Sequence, residues 1–358
     1  MNSIETELKK NGIEVTEKLS TLNSNTLAKN VADKIAQTFP DQYLNANELF
    51  ARFSRINMYK ANIPNGMAEA NYFYKNSSVY FRSNIPFEQL EKFAIHEFIH
   101  NLQEVKDNKG NLQRLGLCKF SNIKTYGLAL NEAAVQFAAS KVLNNDTDIV
   151  KYYEISLPTI SPSYYPIICN LIEQLAYLIG EHTLFNSTFY ANDLFGEDCI
   201  TYLGKKNYIE IQNRFDKILL LEEKIIKLNN ILVSDECEGM HAHRIAKKIS
   251  DLKAKIRNTY ISTQNLIFIS YFDNEFNKLR TTEEVEIYRY KLSNYRNFIG
   301  IVEGYYTFDN YYLNKLSTLE SKYENILNNT DLMTIPDSKI YRIFMKIRKL
   351  FSLSKQEQ

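Results

Sequence analysis

Two histidines four positions apart enclose a glutamate in His96-Glu97-Phe98-Ile99-His100. The chain has only 5 histidines in 358 residues, so chance seldom produces this spacing. On an α-helix, positions i and i+4 stack on one face, and both imidazoles then reach a single ion. Glu97 is rotated by about 100° from His96, beside that ion and not on it, where it can take a proton from metal-bound water. Two imidazoles and one carboxylate suit zinc, with a fourth position left for a water whose pKa falls to about 7. The segment is therefore expected to be a helix that carries a metal centre, with one Zn2+ per chain.

The surrounding sequence supplies a frame for that helix. Ala70–Tyr74 and Val79–Arg82 are aromatic and β-branched runs separated by Lys75-Asn76-Ser77-Ser78, which predicts a β-hairpin. Pro86 opens the motif helix, expected to run to about Gln103. A second helix is expected over Thr125–Leu143, after the breaks at Gly110 and Gly116. It contains Asn131-Glu132-Ala133-Ala134-Val135-Gln136, in which Glu132 lies among small and apolar neighbours. A carboxylate buried there unpaired is expensive, and coordinating a cation removes that cost. Glu132 is thus the expected third ligand, against the alternative of an exposed helix-surface glutamate. Gln136 lies one turn later and can accept a hydrogen bond from a ligand imidazole, although a plain surface amide reads equally well.

The His96-Glu97-Phe98-Ile99-His100 helix with a downstream helical Glu132 resembles the gluzincin group of zinc metallopeptidases, over roughly residues 66–145. The resemblance implies a zincin-like core in which the strand before the motif helix edges a small sheet along the cleft. Val79, Tyr80 and Phe81 match that strand, so a peptide is expected to bind along them by strand addition. It also implies a Tyr, His or Arg that stabilises the oxyanion, with His182 the leading candidate and Tyr126 and Tyr165 the others. Several gluzincins place Asp four residues after the ligand Glu, where this chain has Gln136.

With 11 Gly and 7 Pro, the chain lacks the turn residues an all-β sandwich or barrel needs. An α+β fold, predominantly helical, is expected. Helices are predicted near Leu27–Phe39, Ala46–Met58 and Ile167–Phe185, with a Pro-punctuated loop over Leu157–Pro166. Beyond about Lys205 the pattern becomes a long helical hairpin, Phe215, Ile218, Glu222, Ile225 and Leu232 on one arm and Ile245–Tyr260 on the other. The expected organisation is a catalytic domain over 1–204 and a helical-hairpin or bundle region over 205–358. Cys237, His241 and His243 near the hairpin break read as a polar tip before they read as a second metal site.

Lys and Arg number 43 against 42 acidic residues, which gives no ground for a nucleic-acid or anionic-membrane partner. Four scattered cysteines without a CxxC pair fit a reducing compartment, and no secretory signal is visible in residues 1–20. No apolar run approaches the ~18 residues of a membrane span. A cytoplasmic metallopeptidase acting on a peptide or protein is therefore expected, with export by a dedicated machine still open. The alternatives are a helical regulatory protein that retains a structural metal site and a hydrolase of non-peptide amides. Oligomeric state is not legible.

Overall fold

The computed structural model of the chain describes residues 3–10, 12–120, 125–233, 239–299 and 307–333. Helix α1 (Ser3–Lys10) leads into strand β1 (Glu14–Lys18) and then α2 (Thr21–Thr38). Ser20 opens α2 by accepting the amide of Asn23, and Leu27, Val31 and Ile35 recur at helical spacing on its buried face. Helix α3 (Ala46–Phe53) is capped by Asn45, whose Oδ1 accepts the amides of Asn47 and Glu48. The helix expected to reach Met58 stops at Phe53, and strand β2 (Asn57–Asn62) follows. There Met58 and Ala61 are buried and the backbone pairs with strands on both sides, so sheet packing overrides the local pattern.

Strands β3 (Ala70–Phe73) and β4 (Ser78–Arg82) form the expected hairpin, with Tyr72 opposite Val79. The first sheet runs in the order β1-β2-β4-β3, with β4 parallel to β2 and antiparallel to β3. This order corrects the reading of Val79, Tyr80 and Phe81. They sit on an interior strand whose backbone is engaged by neighbours on both sides, and their side chains are 0%, 3% and 0% exposed. The end strands are β1 and β3, and β3 is the one that packs against α4.

Pro86 is followed by a single 3-10 turn and then by helix α4 (Glu91–Leu102), which carries the motif. Four short strands come next, β5 (Glu104–Lys106), β6 (Leu112–Leu115), β7 (Cys118–Phe120) and β8 (Thr125–Tyr126), paired in chain order as an antiparallel sheet. Helix α5 (Leu128–Val142) is buried on nearly every side, which its run of Ala, Leu and Val permits. Hairpin β9 (Asp148–Tyr152) and β10 (Ile155–Thr159) turns at Tyr153 and Glu154, both left-handed, and β10 occupies part of the expected loop. The single helix predicted over Ile167–Phe185 is split by Gly180, at φ 144°, into α6 (Pro166–Ile179) and α7 (Glu181–Tyr190).

Helices α8 (Leu194–Leu203), α9 (Lys205–Leu232) and α10 (Gly239–Lys278) follow. The chain divides into two compact units, Met1–Asn274 with Asn297–Thr307, and Glu275–Arg296 with Phe308–Gln358. The expected boundary at 204/205 falls inside the first unit, because α9 packs on α5 and α8. The second unit includes most of α11 (Thr282–Ile299) and of α12 (Thr307–Met333), joined by ion pairs of Arg289 with Glu320 and Arg296 with Asp309. None of the described helices is long and apolar enough to cross a membrane. His241 and His243 are exposed at the start of α10, and Cys237 lies outside the described residues.

Candidate metal centre

Helix α4 buries Ala94, Ile95, Phe98 and Ile99 in the core, and α5 packs against it. Burying those positions turns His96 and His100 toward α5, from which Glu132 meets them. His96 Nε2 lies 3.1 Å from His100 Nε2, and each lies 3.5 Å from an oxygen of Glu132. The ligand atoms of the three residues fall within 4.8 Å of one another, and no other such group of His, Cys, Asp or Glu occurs among the described residues. Metal–ligand bonds of about 2.0–2.1 Å at tetrahedral angles require ligand–ligand edges of about 3.3–3.4 Å. The two imidazole nitrogens stand 3.1 Å apart and the carboxylate turns Oε2 to His96 and Oε1 to His100, so small shifts of these side chains close the set on an ion. The three residues could therefore hold a metal ion.

The electrostatics suit a cation. Burial works against charge on His100, but the Glu132 carboxylate outweighs it and lifts the imidazole above its ordinary range. Burial likewise works against charge on Glu132, and His100 and His96 hold its carboxyl well below the usual carboxylate range. A positive charge among these groups thus has an established partner.

Each imidazole is oriented by a carboxamide. Gln136 Oε1 lies 3.0 Å from His96 Nδ1, and its amide nitrogen donates to Ser161 Oγ at 3.0 Å. Gln103 Oε1 lies 3.2 Å from His100 Nδ1 and accepts from Asn131 Nδ2 at 3.1 Å. Asn131 Oδ1 in turn accepts the Leu117 amide at 3.0 Å. With Nδ1 protonated against these oxygens, both Nε2 lone pairs face the centre. Gly116, at φ 54°, makes room for this chain: a Cβ there would lie 2.3 Å from Asn131 Oδ1 and 2.4 Å from Gln103 Nε2.

Glu97 is 8% exposed, and its Oε2 accepts the main-chain amide of Tyr72 on β3 at 2.7 Å. The Tyr72 hydroxyl donates to Glu104 at 2.7 Å and accepts from Asn101 Nδ2 at 2.9 Å, while Arg52 Nε donates to Asn101 Oδ1 at 3.0 Å. The end strand of the sheet is thereby tied to the residue that follows His100.

A cleft of about 1360 Å³ opens on the centre, walled by β3, α4, α5, the residues before α6 and one face of α9. Tyr165, at the N-cap of α6, lines it. Burial raises the Tyr165 phenol, and the fields of Glu132 and Glu97 raise it further, so it stays protonated as a donor. The other two oxyanion candidates are elsewhere. Tyr126 is 49% exposed on β8, outside the cleft lining. His182 lines a separate cavity of about 560 Å³ with Glu173 and Phe185, and its carbonyl accepts Gln42 Nε2 at 3.1 Å. The break at Gly180 redirects α7, and His182 lines a different cavity from His96, His100 and Glu132.

Three further residues enter the site. Gln103 stands three positions after His100 on the same helical face, a spacing from which it can be found. Glu222 interrupts the apolar stripe of α9, which is its own signal. The Tyr72 contribution is a backbone amide and has no signature in residue type. Comparison with protein-family models, with curated proteins and with solved structures finds no match to this chain.

Proposed function

We propose that the chain is a zinc-dependent metallohydrolase, and within that class a metallopeptidase. The observation that carries the reading is the group of His96, His100 and Glu132 with the Glu97 carboxylate lining the same cleft, within electrostatic reach of His100. Three protein ligands leave a coordination position open, as catalytic zinc sites do and closed structural sites do not. When bound, zinc supplies Lewis acidity to a scissile carbonyl and acidifies its water.

The protein residues divide the remaining work. Glu97, fixed through Oε2 by Tyr72, takes the proton of the attacking water and returns it to the leaving amine. Tyr165 donates a hydrogen bond to the developing oxyanion. Gln136 and Gln103 keep both imidazoles in the ligating tautomer. The cleft is lined by Ala70, Asn71 and Tyr72 of the end strand β3, and an extended peptide would lie along this edge, not along interior β4, with the Tyr72 amide left to Glu97.

The test pairs metal analysis with turnover. About one zinc per chain in wild type, lost in His100→Ala, together with peptide cleavage lost in Glu97→Gln, supports the proposal. Hydrolysis that survives Glu97→Gln overturns the mechanism. Bound zinc without cleavage of any peptide moves the reading to non-peptide amides or to a regulatory protein with a structural metal.

A further inference from the structure

One face of α9 forms a wall of the cleft: Leu219, Glu222, Glu223 and Ile226 stand at i, i+3, i+4 and i+7 and all line it. The helix is seated against the loop before β3, where Asn230 Nδ2 donates to the Asn65 carbonyl at 3.0 Å. A Cβ at Gly66 would lie 2.8 Å from Ile226 Cγ2, so the approach of loop and helix is close. Within that wall Glu222 is only 6% exposed, and its Oε1 is buried with no hydrogen-bond partner. A buried carboxyl oxygen without a donor is costly, and a donor brought by a ligand is one way to satisfy it.

The other charges of the cleft point to the kind of ligand. Besides the ligand Glu132 and Glu97, the lining includes Glu69, Asp146, Asp148, Glu222 and Glu223, against the cations Arg82 and Lys92. The Arg82 guanidinium is already engaged, donating to the carbonyls of Ile63, Pro64 and Met67. The Lys92 ammonium lies over the Phe93 ring, 4.7 Å from its centroid. A bound zinc is balanced by Glu132 and Glu97, and burial keeps Glu222 neutral while the cleft is empty, so the field left by Glu69, Asp146, Asp148 and Glu223 is negative and focused by the cleft. The Tyr152 and Tyr165 hydroxyls lie within electrostatic reach of Glu222, and Tyr165 also within reach of Glu132 and Glu97, so this carboxyl shares the neighbourhood of the triad.

We infer that the cleft selects peptides carrying a lysine or arginine side chain, and that Glu222 is the carboxylate that receives its cation. The inference rests on the metallopeptidase reading for the word peptide, and on Glu222 for the charge preference. Leu219 and Ile226, flanking Glu222 on the same face, offer apolar surface to the aliphatic stem of such a side chain.

The test is binding of fluorescent peptide pools, each with one fixed arginine, lysine, norleucine or glutamate, to zinc-loaded Glu97→Gln protein, read by anisotropy. The arginine and lysine pools are expected to bind at least about tenfold more tightly than the norleucine pool. Glu222→Gln, which keeps the side-chain shape, is expected to abolish that difference and leave norleucine binding unchanged, while Glu223→Gln preserves it. Equal binding of all pools, a preference for glutamate, or a basic preference that survives Glu222→Gln overturns the inference. Cleavage of the same pools by wild type separates the two readings. Basic preference in binding without any cleavage defeats the peptidase and keeps the cation site, and cleavage without charge preference does the reverse.

Discussion

The main-chain amide of Tyr72 donates to Glu97 Oε2 at 2.7 Å, so the proposed catalytic base is held by the backbone of the sheet's end strand. A main-chain donor cannot be moved by rotamer changes, and the Tyr72 side chain is itself fixed between Asn101 and Glu104. The carboxylate is thereby positioned before any substrate arrives.

Glu97→Gln keeps an acceptor for the Tyr72 amide but cannot take up a proton. We expect zinc content unchanged and turnover reduced at least about a hundredfold, the scale of general acid–base catalysis. Elemental analysis alongside peptide hydrolysis checks both halves.

Tyr165→Phe and His182→Ala separate the two oxyanion candidates. Loss of one oxyanion donor costs about 10²–10³ in kcat, so Tyr165→Phe is expected to fall by that much with metal retained. His182→Ala, on the far cavity, is expected to leave kcat within about twofold. The opposite ranking would remove Tyr165 from the mechanism.

Gln136→Ala deletes the carboxamide behind His96 and is expected to weaken zinc binding by about 10–100-fold, measured by competition with a chelator of known affinity. Gly116→Ala touches neither ligand, yet its Cβ would collide with Asn131 and Gln103, so His100 loses its support. It is expected to lower both thermal stability and zinc affinity. Unchanged affinity would show that the Gln103–Asn131 pair does not position His100.

Glu173 links stability to pH. Burial raises its carboxyl to about 7 in the folded chain, against 4.5 when exposed. Below the lower value both states are protonated and the contribution is complete; between the two, only the unfolded chain releases the proton. Stability therefore falls as pH rises to about 7, by a few kcal/mol at most. Glu222, raised by burial to about 8, adds a loss of the same sign. Denaturant titrations near pH 5 and pH 8 are expected to show this decline, and the Glu173→Gln/Glu222→Gln double variant to flatten it.

The parts of the site that follow from helical spacing are legible in the sequence. His96, His100, Glu132 and Gln136 are each fixed by a local repeat, and the helices needed to carry them form at those positions. The hairpin of β3 and β4 is equally local. Strand order is not, since it depends on where residues 57–62 go, and β2 inserts beside β4 to make Val79, Tyr80 and Phe81 interior. Gly180 has the same effect on a smaller scale, since one left-handed residue between two good helical segments redirects His182. Glu222 shows the reverse case, a charge inside an apolar stripe whose meaning appears only when the wall it belongs to is seen.

The oxygens behind both imidazoles belong to carboxamides, not carboxylates. A neutral backing group withdraws little proton from the ring, so each imidazole is a poorer electron donor than one leaning on an acid. An ion held by two such rings and the single Glu132 carboxylate keeps more of its charge. On the proposed reading it would pull harder on a carbonyl oxygen and exchange more readily with its surroundings. The same pair of glutamines that would sharpen the reactivity of a metal held here would make its occupancy follow the concentration of free metal.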